Sequence, residues 1–123
     1  MERRPLVIYV VDDDASVREG LGRLMRSAGY HVMPCASVDQ LLADVDLRHS
    51  GCVLLDLSLD RREEPPLAWR LVERGFPIPV IALTGDERET ASRAARAAGA
   101  RFMLRKPVDG RALLDAIEWV TAS

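Results

Sequence analysis

Leu6-Val7-Ile8-Tyr9-Val10-Val11-Asp12-Asp13-Asp14 runs six apolar residues straight into three carboxylates. An apolar run without polar alternation is the pattern of a strand covered on both faces, as in a parallel sheet. The acids at its end repel one another. At ~4 Å two like charges cost ~1 kcal/mol in water and ~4 kcal/mol at an effective dielectric of 20. A bound divalent metal reverses that sign, because hard cations take oxygen ligands and one or two carboxylates suffice to hold them.

Outward from this stretch, further strand patterns fall at 31–34, 52–55, 79–83 and 101–104, each separated from the next by a helical pattern. Val17, Leu21, Leu24, Met25 and Ala28 share one face of a first helix that Gly29 can end. Ser37 and Gln40 have capping-box spacing and open a second helix through Leu41, Leu42 and Val45. A third helix is expected over 67–74, stopping near Gly75. The fourth is alanine-rich, 87–98, with Gly99 as its stop, and the last begins near Asp109 and turns Leu113, Leu114, Ile117 and Val120 toward the sheet. Strand and helix in alternation read as an α/β fold.

The chain has 123 residues, enough for one domain with a proper core, so 1–123 is read as a single domain. With 17 basic and 19 acidic side chains, net charge −2 and no long block of one sign, it carries no electrostatic footprint for nucleic acid; no DNA binding by this chain alone is expected. No segment approaches the ~20 apolar residues of a membrane span, and the first apolar run meets acid too soon for a signal peptide, so no membrane is expected and the location is read as cytoplasmic. Cys35 and Cys52 suit that compartment as reduced thiols, and neither has zinc-like or redox spacing.

Asp12, Asp13, Asp56, Thr84 and Lys106 all lie just past the carboxyl end of an expected strand, the edge where open α/β sheets bind ligands. Lys106 is the single lysine among the 17 basic residues, the rest being arginine. A compact ammonium on a flexible stem can enter where a planar guanidinium does not fit.

With those residues in place the chain resembles the receiver domains of two-component response regulators, over about 6–120. The resemblance rests on Val11-Asp12-Asp13-Asp14, the strand ending in Asp56, Leu83-Thr84-Gly85, Ala98-Gly99-Ala100 and Lys106-Pro107, in the family's order and spacing. It implies a flavodoxin-like, doubly wound (βα)5 sandwich with a five-stranded parallel sheet in order 2-1-3-4-5 and the acidic pocket at the switch point between the first and third strands. It further implies that Asp56 accepts a phosphoryl group from a phosphohistidine of a partner histidine kinase or phosphotransfer protein. Mg²⁺ would be held by Asp13, Asp56 and the Ser58 main-chain carbonyl, with Asp12 acting mostly through coordinated water. Lys106 and the Thr84 hydroxyl would bond the phosphoryl oxygens, and Thr84 would sense the new charge. A cis Lys106-Pro107 peptide would aim the ammonium inward.

The chain departs from the family at two places. Many receivers carry an aromatic residue three before the lysine, where this chain has Met103; methionine is flexible enough to fill the same cavity. Phe102, beside it, should point to the opposite face of the strand. After Asp56 the loop Leu57-Ser58-Leu59-Asp60-Arg61-Arg62-Glu63-Glu64-Pro65-Pro66 is longer by one residue and more charged, and lacks the family's proline and glycine. The expected consequence is altered partner docking rather than altered chemistry. Asp86 adds a carboxylate near the pocket.

Each residue also has an ordinary structural role. Acids after strands often cap helices, which is the reading for Asp14, while Asp12 and Asp13 alone suit capping and metal binding equally. Asp56 or Thr84 alone favours the structural role, and the four together shift the weight. Ala91, Ala94, Ala95 and Ala98 read as close helix packing. Arg61 and Arg62 read as solvated and loosely paired with Glu63 and Glu64, His31 and His49 as surface residues, and Trp69 and Trp119 as core packing at helix edges, with partly exposed partner contacts as the less common alternative.

The leading function is a stand-alone receiver without an output domain that switches a downstream effector protein or relays phosphate. A homodimer through the last two helices and the fifth strand is a further possibility, and turnover as an enzyme is not expected. The alternatives are a degenerate receiver that binds partners without phosphorylation and a Mg²⁺-dependent aspartyl-phosphate phosphohydrolase. That second family wants an acid where this chain has Ser58.

Overall fold

The computed structural model describes residues 6–44, 50–59, 65–75, 78–85 and 89–122. The chain alternates β1 (Val7–Val11), α1 (Ala15–Ser27), β2 (His31–Cys35), α2 (Val38–Asp44), β3 (Gly51–Asp56), a 3-10 turn (Leu57–Leu59), α3 (Leu67–Glu73), β4 (Val80–Thr84), α4 (Glu89–Ala97), β5 (Phe102–Arg105) and α5 (Gly110–Thr121). All strand pairs are parallel and the sheet order is β2-β1-β3-β4-β5, as the resemblance implied.

The two-residue side-chain period of a strand builds both layers at once. Val7, Tyr9 and Val11 of β1 and Val53 and Leu55 of β3 pack with Leu41 and Leu42 of α2 and Leu67 and Leu71 of α3. Their neighbours Ile8, Val10, Cys52, Leu54, Ile81 and Leu83 face the other way, onto Leu21 and Met25 of α1 and Leu113, Ile117 and Val120 of α5. The continuous apolar runs in the sequence follow from this, since β1, β3 and β4 have no solvent face. Ala95 and Ala98 of the α4 segment pack on Ala82 and Leu57, the close packing expected of the alanine stripe.

Two glycines are required sterically. A Cβ on Gly51 would sit 1.9 Å from the Val7 carbonyl oxygen, so the β1–β3 pairing depends on its absence. Gly99 has φ +79, and a Cβ there would meet the Ala68 Cβ at 2.5 Å, where α4 ends against α3.

Several boundaries differ from the sequence reading. The sheet ladder continues through polar residues, because it is made by main-chain groups, so Asp56 and Thr84 are the last residues of β3 and β4 rather than the first beyond them. Trp69 and Trp119 are 52% and 74% exposed, contrary to the expected core packing. The buried stripes of α3 and α5 run through Leu67 and Leu71, and through Leu113, Ala116, Ile117 and Val120, which puts both indoles on the outer faces. In the capping box, Ser37 Oγ accepts the Gln40 N–H at 3.0 Å as expected, but Gln40 Oε1 accepts the Ala36 N–H instead of the Ser37 one. His31 is exposed as expected. Val45, His49, the charged run 60–64, Asp86, the start of the fourth helix at 87 and the Ala91 side chain lie outside the described residues.

Candidate functional site

β1 delivers its acids to the carboxyl edge of the sheet by main-chain pairing. The Asp12 N–H donates to the Cys35 carbonyl at 3.1 Å, extending the β1–β2 ladder and leaving Asp12 only 1% exposed. A carboxylate that buried requires partners. Its Oδ1 accepts the Asp14 N–H at 2.9 Å and its Oδ2 accepts from Lys106 Nζ at 3.0 Å. Asp13, next along, is exposed. Asp14 turns the chain into α1, its Oδ1 accepting the Ser16 and Val17 N–H groups at 2.8 and 3.3 Å, which is the capping role expected of it.

Asp56 reaches the same place from the end of β3 and is buried. Its Oδ1 accepts the N–H of Ser58, in the following turn, at 3.1 Å, and its Oδ2 lies 3.5 Å from Lys106 Nζ. Thr84, at the end of β4, is also buried, and its carbonyl accepts the Lys106 N–H at 2.7 Å. That main-chain bond fixes the start of the β5–α5 loop against β4, and the Lys106-Pro107 peptide is cis, as the resemblance implied. Lys106 thereby extends one ammonium between two carboxylates from different strands. Burial by itself would lower its pKa, but the hydrogen bond to Asp12 and the charges of Asp56 and Asp12 outweigh burial and hold it above the ordinary lysine value.

Asp12, Asp13 and Asp56 each offer a carboxylate oxygen within 4.8 Å of the other two. Mg²⁺ takes oxygens at about 2.0–2.1 Å, so oxygens on opposite sides of the ion stand roughly 4.2 Å apart, and small side-chain rotations bring this set into range. Three carboxylates against one ammonium also leave two negative charges, the charge of one divalent cation. The donor set fits a hard dication on both counts.

Met103 is half-buried and packs against the cluster of Leu57, Ala82, Ala95 and Ala98, while Leu104, of the same strand parity as Phe102, packs on the α1–α5 side. Phe102 is 36% exposed. One group in contact with the site was missed in the sequence. Arg18 Nη1 donates to the Asp12 carbonyl oxygen at 2.7 Å. The available signal was its place one turn after the Asp14 cap, where the Arg18 N–H donates to the Asp14 carbonyl at 3.0 Å.

Comparison with known proteins agrees with this geometry. The response regulator receiver domain family matches residues 8–118. The chain is similar to the transcriptional regulatory protein TdiR of Thauera aromatica, 38% identical over 113 residues that cover 89% of this chain and 48% of that one. It is also similar to the response regulator protein TmoT of Ectopseudomonas mendocina, 35% identical over 117 residues covering 95% and 53%. The chain thus spans about half the length of the curated relatives it matches. Among solved structures, the response regulator StyR superposes with a TM-score of 0.78 at 36% identity, covering 96% of this chain and 59% of that one. A CheY-like receiver domain protein from Methanospirillum hungatei gives 0.77 at 26% identity, covering 94% and 92%. The chain belongs to the response regulator receiver domains, the family through which two-component systems signal by phosphorylation.

Proposed function

We propose that residues 1–123 form a single cytoplasmic receiver domain in which Asp56 is the phosphoacceptor, and that Lys106, Thr84 and the carboxylates of Asp12 and Asp13 serve the transfer onto it. The observation that carries this reading is Lys106 Nζ, 3.0 Å from Asp12 and 3.5 Å from Asp56. It brings an ammonium to both buried carboxylates of a cluster suited to a metal.

An Asp56 carboxylate oxygen attacks phosphorus of a phosphohistidine on a histidine kinase or phosphotransfer protein. The new O–P bond forms as the N–P bond breaks, and the departing imidazole keeps the electron pair and takes up a proton. Such transfers are governed by positioning and electrostatics. Lys106 follows the phosphoryl oxygens with its ammonium, and the Thr84 hydroxyl donates to another of them. Asp12, Asp13, Asp56 and the Ser58 carbonyl would hold Mg²⁺, which when bound neutralises charge on the transferring group. The buried position of Asp56 limits access of water to the product.

Thr84 then turns its hydroxyl toward the phosphoryl group, and Met103, packed on Ala95 and Ala98, adjusts to that change. The readout is a downstream effector protein or a second copy of the chain against α4, β5 and α5, where Phe102 and Trp119 stand exposed. No described helix is long and apolar enough to cross a membrane. The chain acts as a signalling phosphoacceptor rather than by catalytic turnover.

The test is incubation with Mg²⁺ and a small phosphoryl donor, read by intact mass. Addition of one phosphate that disappears in Asp56→Asn is expected. Absence of labelling in a chain that still binds Mg²⁺ would establish a degenerate receiver, and continuous release of phosphate would establish a hydrolase.

A further inference from the structure

The Asp12–Asp13 turn is held from several sides. The Asp12 N–H is tied to β2 through Cys35, its carboxylate to Asp14 and Lys106, and its carbonyl oxygen to Arg18 of α1 at 2.7 Å. The last bond differs in kind, because it acts on the peptide plane that joins Asp12 to Asp13. A peptide unit is planar, so a donor that fixes the Asp12 oxygen also fixes the Asp13 nitrogen and Cα, and with them the direction in which the Asp13 side chain leaves the turn. Asp13 is exposed, and among the described residues no hydrogen bond or ion pair orients its side chain. The guanidinium is half-buried and lies near enough to Cys35 to counter, in part, the upward shift of that thiol.

We infer that Arg18 is a positioning residue of the metal site: by gripping the Asp12 carbonyl it pre-sets the Asp13 carboxylate relative to Asp12 and Asp56, and thereby raises affinity for a divalent cation. The inference rests on the metal-binding reading above. Groups that orient metal ligands without touching the ion typically contribute 10- to 100-fold in affinity. The expected direction is also diagnostic. A guanidinium near a cation site repels the ion, so if Arg18 acted only through its charge, removing it would tighten binding.

The experiment is calorimetric titration of the full chain with MgCl₂, well below the melting midpoint, for wild type, Arg18→Ala, Arg18→Lys, Arg23→Ala and Asp13→Asn. Arg18→Ala is expected to weaken Mg²⁺ about 10-fold. Arg18→Lys, which keeps a cationic donor, should recover most of that loss, and Arg23→Ala, at an exposed position on the same helix, should bind as tightly as wild type or tighter. Phosphoryl uptake by Arg18→Ala should be slow at limiting Mg²⁺ and return to the wild-type rate at saturating Mg²⁺. A general structural defect would not produce that split. Should Arg18→Ala fail to fold, Arg18→Gln keeps the aliphatic stem and replaces it in the same comparison. Unchanged or tighter Mg²⁺ binding by Arg18→Ala, or by Arg18→Gln in its place, overturns the inference while leaving the metal reading intact. Wild type that binds no Mg²⁺, or Asp13→Asn that binds as wild type does, overturns the metal reading and this inference with it.

Discussion

Lys106 and Asp12 are 94 residues apart in the chain, and their side chains meet at 3.0 Å. The bond closes the first strand end against the last one and serves two purposes. It neutralises a carboxylate that is almost fully buried, and it stations the ammonium within 3.5 Å of Asp56.

Replacing Lys106 by alanine therefore has two separable consequences. Asp12 loses a charged partner in a buried site, which should cost about 1–3 kcal/mol by urea unfolding in the presence of a chelator. Mg²⁺ binding should not weaken, because a competing cation has been removed. Phosphoryl uptake on Asp56 should fall by about 10²-fold, the usual scale for loss of a donor to developing charge. A variant that folds and labels at the wild-type rate would remove Lys106 from the site.

Asp13→Asn relieves repulsion among three clustered carboxylates, so its stability without metal should match or exceed that of wild type. Wild type should gain about 2.7 kcal/mol when Mg²⁺ is raised to a hundred times its dissociation constant. The variant should gain little at the same concentration. Paired thermal melts with Mg²⁺ and with chelator measure both effects, and equal gains in the two proteins would exclude Asp13 as a ligand.

The thiols carry a pH dependence whose sign is set by burial. Desolvation, aided by the charge of Asp44, raises the Cys35 pKa to about 11 despite Arg18, and desolvation raises Cys52 to about 12. The folded state favours the neutral thiol, so this stabilisation is complete below the unfolded pKa of roughly 8.5 and is lost as pH climbs toward the folded values. Alkylation at pH 8 should leave both cysteines unmodified in the folded protein and modify both in denaturant. Rapid labelling of either thiol in the native protein would show that it is accessible.

Gly51→Ala and Gly20→Ala should move stability in opposite directions. The first forces a Cβ into the Val7 carbonyl and disrupts the central β1–β3 pairing, with a loss of about 4 kcal/mol or failure to fold. The second adds a methyl inside α1 with nothing within 4 Å, so helix propensity alone applies and the gain should be close to 1 kcal/mol. Denaturant unfolding of both variants tests the β1–β3 register.

Much of this was legible in the linear chain because its signals are local. A strand buried on both faces announces itself as an unbroken apolar run, and Asp14, Ser37 and Asp109 mark helix starts by bonding the next few N–H groups. Gly29, Gly75 and Gly99, expected to stop helices, all have positive φ. The strand ends were less legible, since main-chain ladders carried Asp56 and Thr84 into the sheet without regard to their polarity. Trp69 and Trp119 were misjudged because apolar character does not say which face of a short helix is turned away.

By itself, the sequence determined the alternation of strands and helices, the strand from which each acid, hydroxyl and amine emerges, and the resemblance that joined them into one site. Spacing along a strand or helix is a property of the backbone, and it survives in one dimension. Only the tertiary structure decided that Lys106 divides its ammonium between Asp12 and Asp56 and that Arg18 grips the Asp12 carbonyl. Those are distances between groups on different elements, set by how the helices pack on a twisted sheet, and no local pattern of residues encodes them.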